Sequence, residues 1–143
     1  MVDFNQPEDI LGIGIRTILN YRKDDVKFQN LLKNWNKIIV IEFNGIYAVT
    51  IEFKDGSIRI AYDEQEGYDL KVKLRSIRVM TDIAAGTYGP IRAFMTGKIR
   101  VKKVWNVFVL LKFIRLFIPA LRIAGDRAVL YKNNEADIYA RTE

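Results

Sequence analysis

At 143 residues, half of them hydrophobic, the chain suits one globular domain that buries roughly two-thirds of its unfolded surface, and wholesale disorder is excluded. Cysteine and histidine are both absent, which removes disulfides, thiolate catalysis, sulfur-ligated metals and the commonest general base. The formal charge of +6 is lopsided: Tyr68 to Arg122 carries 12 Lys and Arg against Asp69 and Asp82, a net of +10, and the remainder has 11 basic and 15 acidic residues, a net of −4.

The opening MVDFNQPED is acidic, with no basic region leading into an apolar core, so no secretory signal is expected. A cytoplasmic location, with peripheral attachment to membrane as a variant, suits this start and the lack of cysteine. Residues 7 to 22 read as a helix: Pro7 sits at its start, Glu8 and Asp9 complement the N-terminal dipole, and Ile10, Leu11, Ile15, Ile18 and Leu19 recur at three and four. Asp24-Asp25 then cap a second helix with Phe28, Leu31, Leu32 and Trp35 on its buried face.

The period changes at Lys37. KIIVIEFN, IYAVTIEF and SIRIAY are three strands joined by the hairpin turns Asn44-Gly45 and Lys54-Asp55-Gly56. Their inward residues are Ile39, Ile41 and Phe43, then Tyr47, Val49, Ile51 and Phe53, then Ile58, Ile60 and Tyr62. After a loop from Asp63 to Gly67, YDLKVKLR turns Leu70, Val72 and Leu74 inward and Lys71, Lys73 and Arg75 outward. Ser76 can cap a helix carrying Ile77, Met80, Ile83 and Ala84, which Gly86 stops in a left-handed cap position.

The stretch from Tyr88 to Ile118 organises the rest. Gly89-Pro90 opens a short helix with Ile91, Phe94 and Met95 on its apolar face, and Gly97 ends it. Ile99 and Val101 alternate with Lys98, Arg100 and Lys102 as a strand with one wet face. A long apolar helix follows from Val104 and is expected to stop at Pro119. Beyond it, RAVLY reads as a short strand or a docking segment, and NNEADIYARTE as a frayed end.

Several motifs invite chemistry and lose to plainer readings. Asp63, Glu64 and Glu66 lack the further Asp or Asn of a calcium loop and read as a solvated turn, so no metal is expected. Gly12-Ile13-Gly14 follows no strand and lacks the third glycine of a dinucleotide fingerprint. Gly86-Thr87-Tyr88-Gly89 has neutral residues where a KH loop is basic, and reads as one helix cap followed by one helix start. Ser57 and Ser76, the only serines, have no histidine to activate them, so no catalytic residue is expected.

The segment from Val104 to Leu121 nearly matches a bilayer in length, but Lys112 and Arg115 lie mid-segment, each costing roughly 2.5–3.5 kcal/mol there, which excludes a spanning helix. At about 100° per residue, Val107, Leu110, Phe113, Ile114 and Phe117 share one face. Trp105, Phe108, Leu111, Lys112 and Arg115 occupy the other, which suits a membrane interface, a dimer contact, a lid over an apolar cavity or a wholly buried core helix.

The string Ala93-Phe94-Met95-Thr96-Gly97-Lys98-Ile99-Arg100-Val101 resembles the recurring Ala-Phe-Met-x-Gly-Lys-Leu-x-Ile of the sterol carrier protein type 2 lipid-binding family. Asp69-Leu70-Lys71-Val72 and the helix from Met80 to Gly86 add to the resemblance, which runs from about Ile38 to Phe117. It departs at Lys102-Lys103, where the family often places a glycine, and in a longer, more apolar last helix. The resemblance implies an α+β fold, a five-stranded mixed sheet covered on one face by helices, with an apolar tunnel between them that binds and transfers lipids without catalysis. It implies one domain over residues 1–143, made of N-terminal helices (1–36), the core of the resemblance (37–118) and a C-terminal tail (119–143).

Inward alternation selects the lipid-binding candidates Phe43, Val49, Ile51, Phe53, Ile60, Tyr62, Val72, Leu74, Met80, Ile83, Phe94, Met95, Leu110, Phe113 and Phe117. Lys102, Lys103, Trp105, Phe108, Leu111, Lys112 and Arg115 are the candidates for contact with membrane or a partner. The expected ligand is a sterol-like, isoprenoid or fatty acyl lipid, with no other cofactor. An anionic membrane surface is the expected partner, and the alternative is a dimerisation or interaction module of the same fold with its cavity packed solid. Nucleic acid is not expected, because the outward Arg59, Lys71, Lys73, Arg75 and Arg100 are not interleaved with aromatics.

Overall fold

The computed structural model describes residues 2–142, with side chains described through residue 128. Strand β1 (Asp3–Phe4) leads into helices α1 (Ile10–Asn20) and α2 (Val26–Leu32), followed by strands β2 (Asn36–Phe43), β3 (Tyr47–Lys54), β4 (Ser57–Tyr62) and β5 (Leu70–Leu74). Helices α3 (Ile77–Ala85) and α4 (Pro90–Met95), strand β6 (Ile99–Lys102) and helix α5 (Val107–Thr142) complete the order. The sheet runs β1-β4-β3-β2-β5-β6, with β2–β5 and β1–β4 parallel and the other pairs antiparallel. The mixed α+β architecture is as expected, with six strands rather than five.

The additional strand is two residues long, below what periodicity registers. Asn5 extends it by imitating a strand with its side chain, donating from Nδ2 to the Ile60 carbonyl at 2.9 Å and accepting from the Ile60 amide at 2.8 Å. The first helix starts at Ile10 rather than Pro7, because Asp9 is its cap and accepts from the Gly12 amide at 2.7 Å. Ile10, counted among its apolar repeat, is 87% exposed. Trp35 lies beyond α2 and is buried against Phe53, with ring centroids 4.9 Å apart. Gly86 caps α3 at φ 76°, the left-handed conformation the sequence requires there.

The inner face of the sheet divides into two halves. Over β3 and β4, α1 and α2 bring Ile15, Leu19, Phe28 and Leu32 onto Val49, Ile51, Phe53, Ile58 and Ile60, all fully buried in a solid core. Over β2, β5 and β6, the cover is α3, α4 and α5. The outer face is not uniformly wet: Val40, Thr50 and Lys71 are buried beneath the 63–67 loop. Lys71, expected outside, pairs with Glu64 at 2.7 Å and Glu42 at 3.2 Å, so the acidic turn serves as its counter-charge. Burial opposes its charge, but the two carboxylates outweigh burial and raise its pKa.

Helix α5 does not stop at Pro119. Its backbone stays helical to Thr142, so RAVLY is helix and not strand, and the docking of the tail's side chains from 129 onward lies outside the described residues. Pro119 has no N–H for the Arg115 carbonyl, the loss that ordinarily breaks a helix. Arg22 fills the gap: its Nη1 donates to the Arg115 carbonyl at 2.7 Å and to the Leu116 carbonyl at 3.1 Å. Past the proline, Gly125 passes so close to α3 that a Cβ there would sit 2.0 Å from the Ala84 carbonyl oxygen, which only glycine allows.

Candidate functional site

Between the β2-β5-β6 half of the sheet and helices α3, α4 and α5 lies a cavity of about 250 Å³. The sheet contributes Ile41, Val72, Leu74, Ile99 and Val101 to its floor. Met80 and Ile83 come from α3, Pro90, Ile91 and Phe94 from α4, and Leu110, Phe113, Ile114, Phe117, Ile118 and Leu121 from α5. Every one of these side chains is apolar, and such a wall suits an apolar guest.

The elements meet here for local reasons. Val72 pairs with both Ile41 and Val101, which aligns one row of inward residues across three strands. Pro90 starts α4 at its first helical position, which sets Ile91 and Phe94 over the edge strand. On α5, Leu110, Phe113, Ile114, Phe117, Ile118 and Leu121 fall within about two-fifths of the helical circumference, because their spacing of three and four follows the turn. Phe113 and Phe117 stack one turn apart, with centroids 5.3 Å apart.

The cavity opens between α4 and α5. Three of its lining residues face solvent there: Ile91 is 76% exposed, Phe94 48% and Ile114 39%. From that opening an apolar ridge runs over the start of α5 through Val107, Leu111 and Phe108 to Trp105 in the turn before it, the last two 87% and 74% exposed. Lys112 and Arg115 border the ridge.

Of the sequence-derived lining candidates, Val72, Leu74, Met80, Ile83, Phe94, Leu110, Phe113 and Phe117 line this cavity. Val49, Ile51, Phe53 and Ile60 lie in the core over β3 and β4 instead, because alternation identifies the inward face but not which helices cover each strand, and Phe43, at the end of β2, is buried without entering the cavity wall. Tyr62 and Met95 point to solvent at 59% and 79% exposure. Ile41, Pro90, Ile91, Ile99, Val101, Ile114, Ile118 and Leu121 were missed. Of these, Ile91, Ile99, Val101 and Ile114 carry the same periodic signal as the candidates beside them in the sequence.

The surface candidates also separate. Lys102 and Arg115 are solvent-facing. Lys103 bends back, donating from Nζ to the Tyr68 carbonyl, with Nζ 4.5 Å from the centre of the Tyr68 ring. Its backbone adopts φ 62°, the left-handed conformation that ordinarily favours glycine. Lys112 is half-buried, with Nζ 5.0 Å from the centre of the Trp35 ring, and desolvation pushes its pKa down.

Residues 16–118 match the SCP-2 sterol transfer family. The chain belongs to that family. Its fold is similar to the solution structure of sterol carrier protein domain 2 of Helicoverpa armigera, at TM-score 0.60 and 20% identity over 82% of this chain and 95% of that one. A crystal structure of sterol carrier protein 2 is similar at TM-score 0.54 and 13% identity, over 78% and 92%. A UbiJ-SCP2 ubiquinone synthesis protein is similar at TM-score 0.56 and 14% identity, over 77% and 87%. At these identities the structures establish the shared SCP2 fold. No curated protein matches the chain significantly in sequence. The family is one of lipid transfer, and among the described residues no helix is long and apolar enough to cross a membrane.

Proposed function

We propose that this SCP2-family domain is a non-enzymatic carrier that holds an apolar lipid chain between α3, α4, α5 and the β2-β5-β6 half of its sheet. The observation that carries the reading is the wholly apolar wall of a cavity that nevertheless opens to solvent. A void of this kind costs the fold the contacts its lining lacks, and a hydrocarbon guest restores them. Each buried methylene contributes about 0.8 kcal/mol, so ten would supply about 8 kcal/mol, the scale of micromolar binding before ordering costs.

The volume favours a slim guest. At about 250 Å³ the cavity exceeds the roughly 150 Å³ that admits benzene and falls below the roughly 300–1,000 Å³ of drug-sized pockets. A slim fatty acyl or isoprenoid chain suits it better than a whole sterol ring system.

Exchange takes place at an anionic bilayer. The ridge of Val107, Phe108, Leu111 and Trp105 is continuous with the opening, and Lys112 and Arg115 beside it supply charge complementary to anionic headgroups. Titration with a fluorescent fatty acid tests the reading. Saturable uptake into an apolar environment, competed by unlabelled acyl chains, is expected; a protein that leaves the probe in water would refute it.

A further inference from the structure

A second cleft lies on the side of α5 away from the apolar cavity. It is an open cleft of about 530 Å³ between α2 and α5, lined by Arg22, Lys27, Asn30, Leu31, Lys112, Arg115 and Pro119. Four of these seven residues are cationic and none is acidic. Arg22 alone has a counter-ion, Asp25 at 2.9 Å, and it spends its Nη1 on the carbonyls around the proline. Among the described residues, Lys27, Lys112 and Arg115 have no carboxylate within salt-bridge distance.

Evenly solvated surface lysines would need no explanation. Lys112 differs because it is half-buried and lies over the face of Trp35 rather than against an anion. Desolvating an ammonium without pairing it is unfavourable, as its lowered pKa reflects. An anion in the cleft would reverse that penalty and offset the repulsion among three unpaired cations.

We infer that the cleft between α2 and α5 is a binding site for a phosphoryl group, held by Lys112 and Arg115 from one wall and Lys27 and Asn30 from the other. A phosphoryl group offers several acceptor oxygens to donors converging from two helices, and arginine can engage two of them at once. Arg22 shapes the floor, being 95% buried and fixed by four hydrogen bonds. The site is separate from the apolar cavity, but Lys112 and Arg115 are also the cations that the carrier reading sets against anionic headgroups, whereas Lys27 and Asn30 belong to this site alone. A free phosphate ester and the headgroup of a membrane phospholipid present the same chemistry.

Trp35 provides a built-in reporter, since Lys112 sits over its ring and Trp105 can be silenced by Trp105→Phe. In that protein, inorganic phosphate titrated at ionic strength held constant with chloride should change Trp35 emission saturably. Lys112→Gln with Arg115→Gln should weaken the response about tenfold or more. Lys27→Gln, at an exposed position away from the core, should weaken it without disturbing the fold. A parallel titration with phosphatidylcholine vesicles containing phosphatidic acid separates the sources. Response to both probes, or to phosphate alone, assigns a free phosphate ester; response to the vesicles alone, still dependent on Lys112 and Lys27, assigns the headgroup. If neither probe gives a response that depends on these residues, the inference is overturned.

Discussion

The guanidinium of Arg22 and the backbone carbonyl of Arg115 lie 2.7 Å apart, and the contact joins residues 93 positions apart in the chain. It occupies the one carbonyl that Pro119 strips of its helical donor. Apolar side chains on both sides of the proline, Phe117 and Leu121, close the cavity. The continuity of α5, and therefore the cavity wall, rests partly on a side chain from the other end of the fold.

Replacing Arg22 with Met should destabilise the protein by about 1–3 kcal/mol, since it leaves the Arg115 carbonyl without a partner. Restoring the backbone N–H with Pro119→Ala removes the need for that donor. In the Pro119→Ala background the cost of Arg22→Met should shrink by roughly 1 kcal/mol, read as coupling in a double-mutant cycle of urea denaturation. Additive costs would show that Arg22 stabilises the fold in some other way.

Val72 and Ile60 both point inward, but only Val72 lines the cavity. Val72→Trp should fold, occupy the void and block acyl uptake. Ile60→Trp should be overpacked and lose about 1–3 kcal/mol while keeping uptake wherever it remains folded. Unimpaired uptake by Val72→Trp would place the ligand elsewhere.

Phe108 is 87% exposed, so Phe108→Glu should change stability by no more than about 0.5 kcal/mol. Transfer of an acyl probe between anionic vesicles should nonetheless fall, with sedimentation mass unchanged and wild-type transfer weakening as salt rises. A dimer that dissociates on this substitution, with transfer intact, would mean that a second copy of the chain covers the ridge.

Much of this architecture was legible in the residues. Two hairpins turn where Asn44-Gly45 and Asp55-Gly56 adopt positive φ, and the string from Ala93 to Val101 carries the family. What escaped depends on contacts between distant segments. Pro119 reads as a helix end because nothing local announces Arg22. Lys71 reads as exposed because a strand pattern does not reveal that the 63–67 loop folds back over it. Five of the eight strand residues read as lining are core, because a cavity and a core draw on the same side chains.

Tyr47 makes a pH dependence visible. Its hydroxyl donates to Asp9 Oδ2 at 2.7 Å, the oxygen that also caps α1. That hydrogen bond, with some desolvation, pushes the phenol from its ordinary 10.0 up to about 12. A folded-state pKa above the unfolded one means the stabilisation is fully present below pH 10.0 and is lost as pH rises towards about 12. Tyr47→Phe should lower stability at neutral pH and lose less of it across that window than wild type does. Parallel curves for the two proteins would contradict the role given to this bond.

Native mass spectrometry of the protein purified from cells addresses the cavity most directly. If the space beneath α4 and α5 holds a lipid chain, the spectrum should show a bound species that matches an acyl or isoprenoid lipid. That species should disappear in Val72→Trp and persist in Phe108→Glu. A spectrum containing only the bare polypeptide, unchanged after incubation with lipid vesicles, would contradict the account.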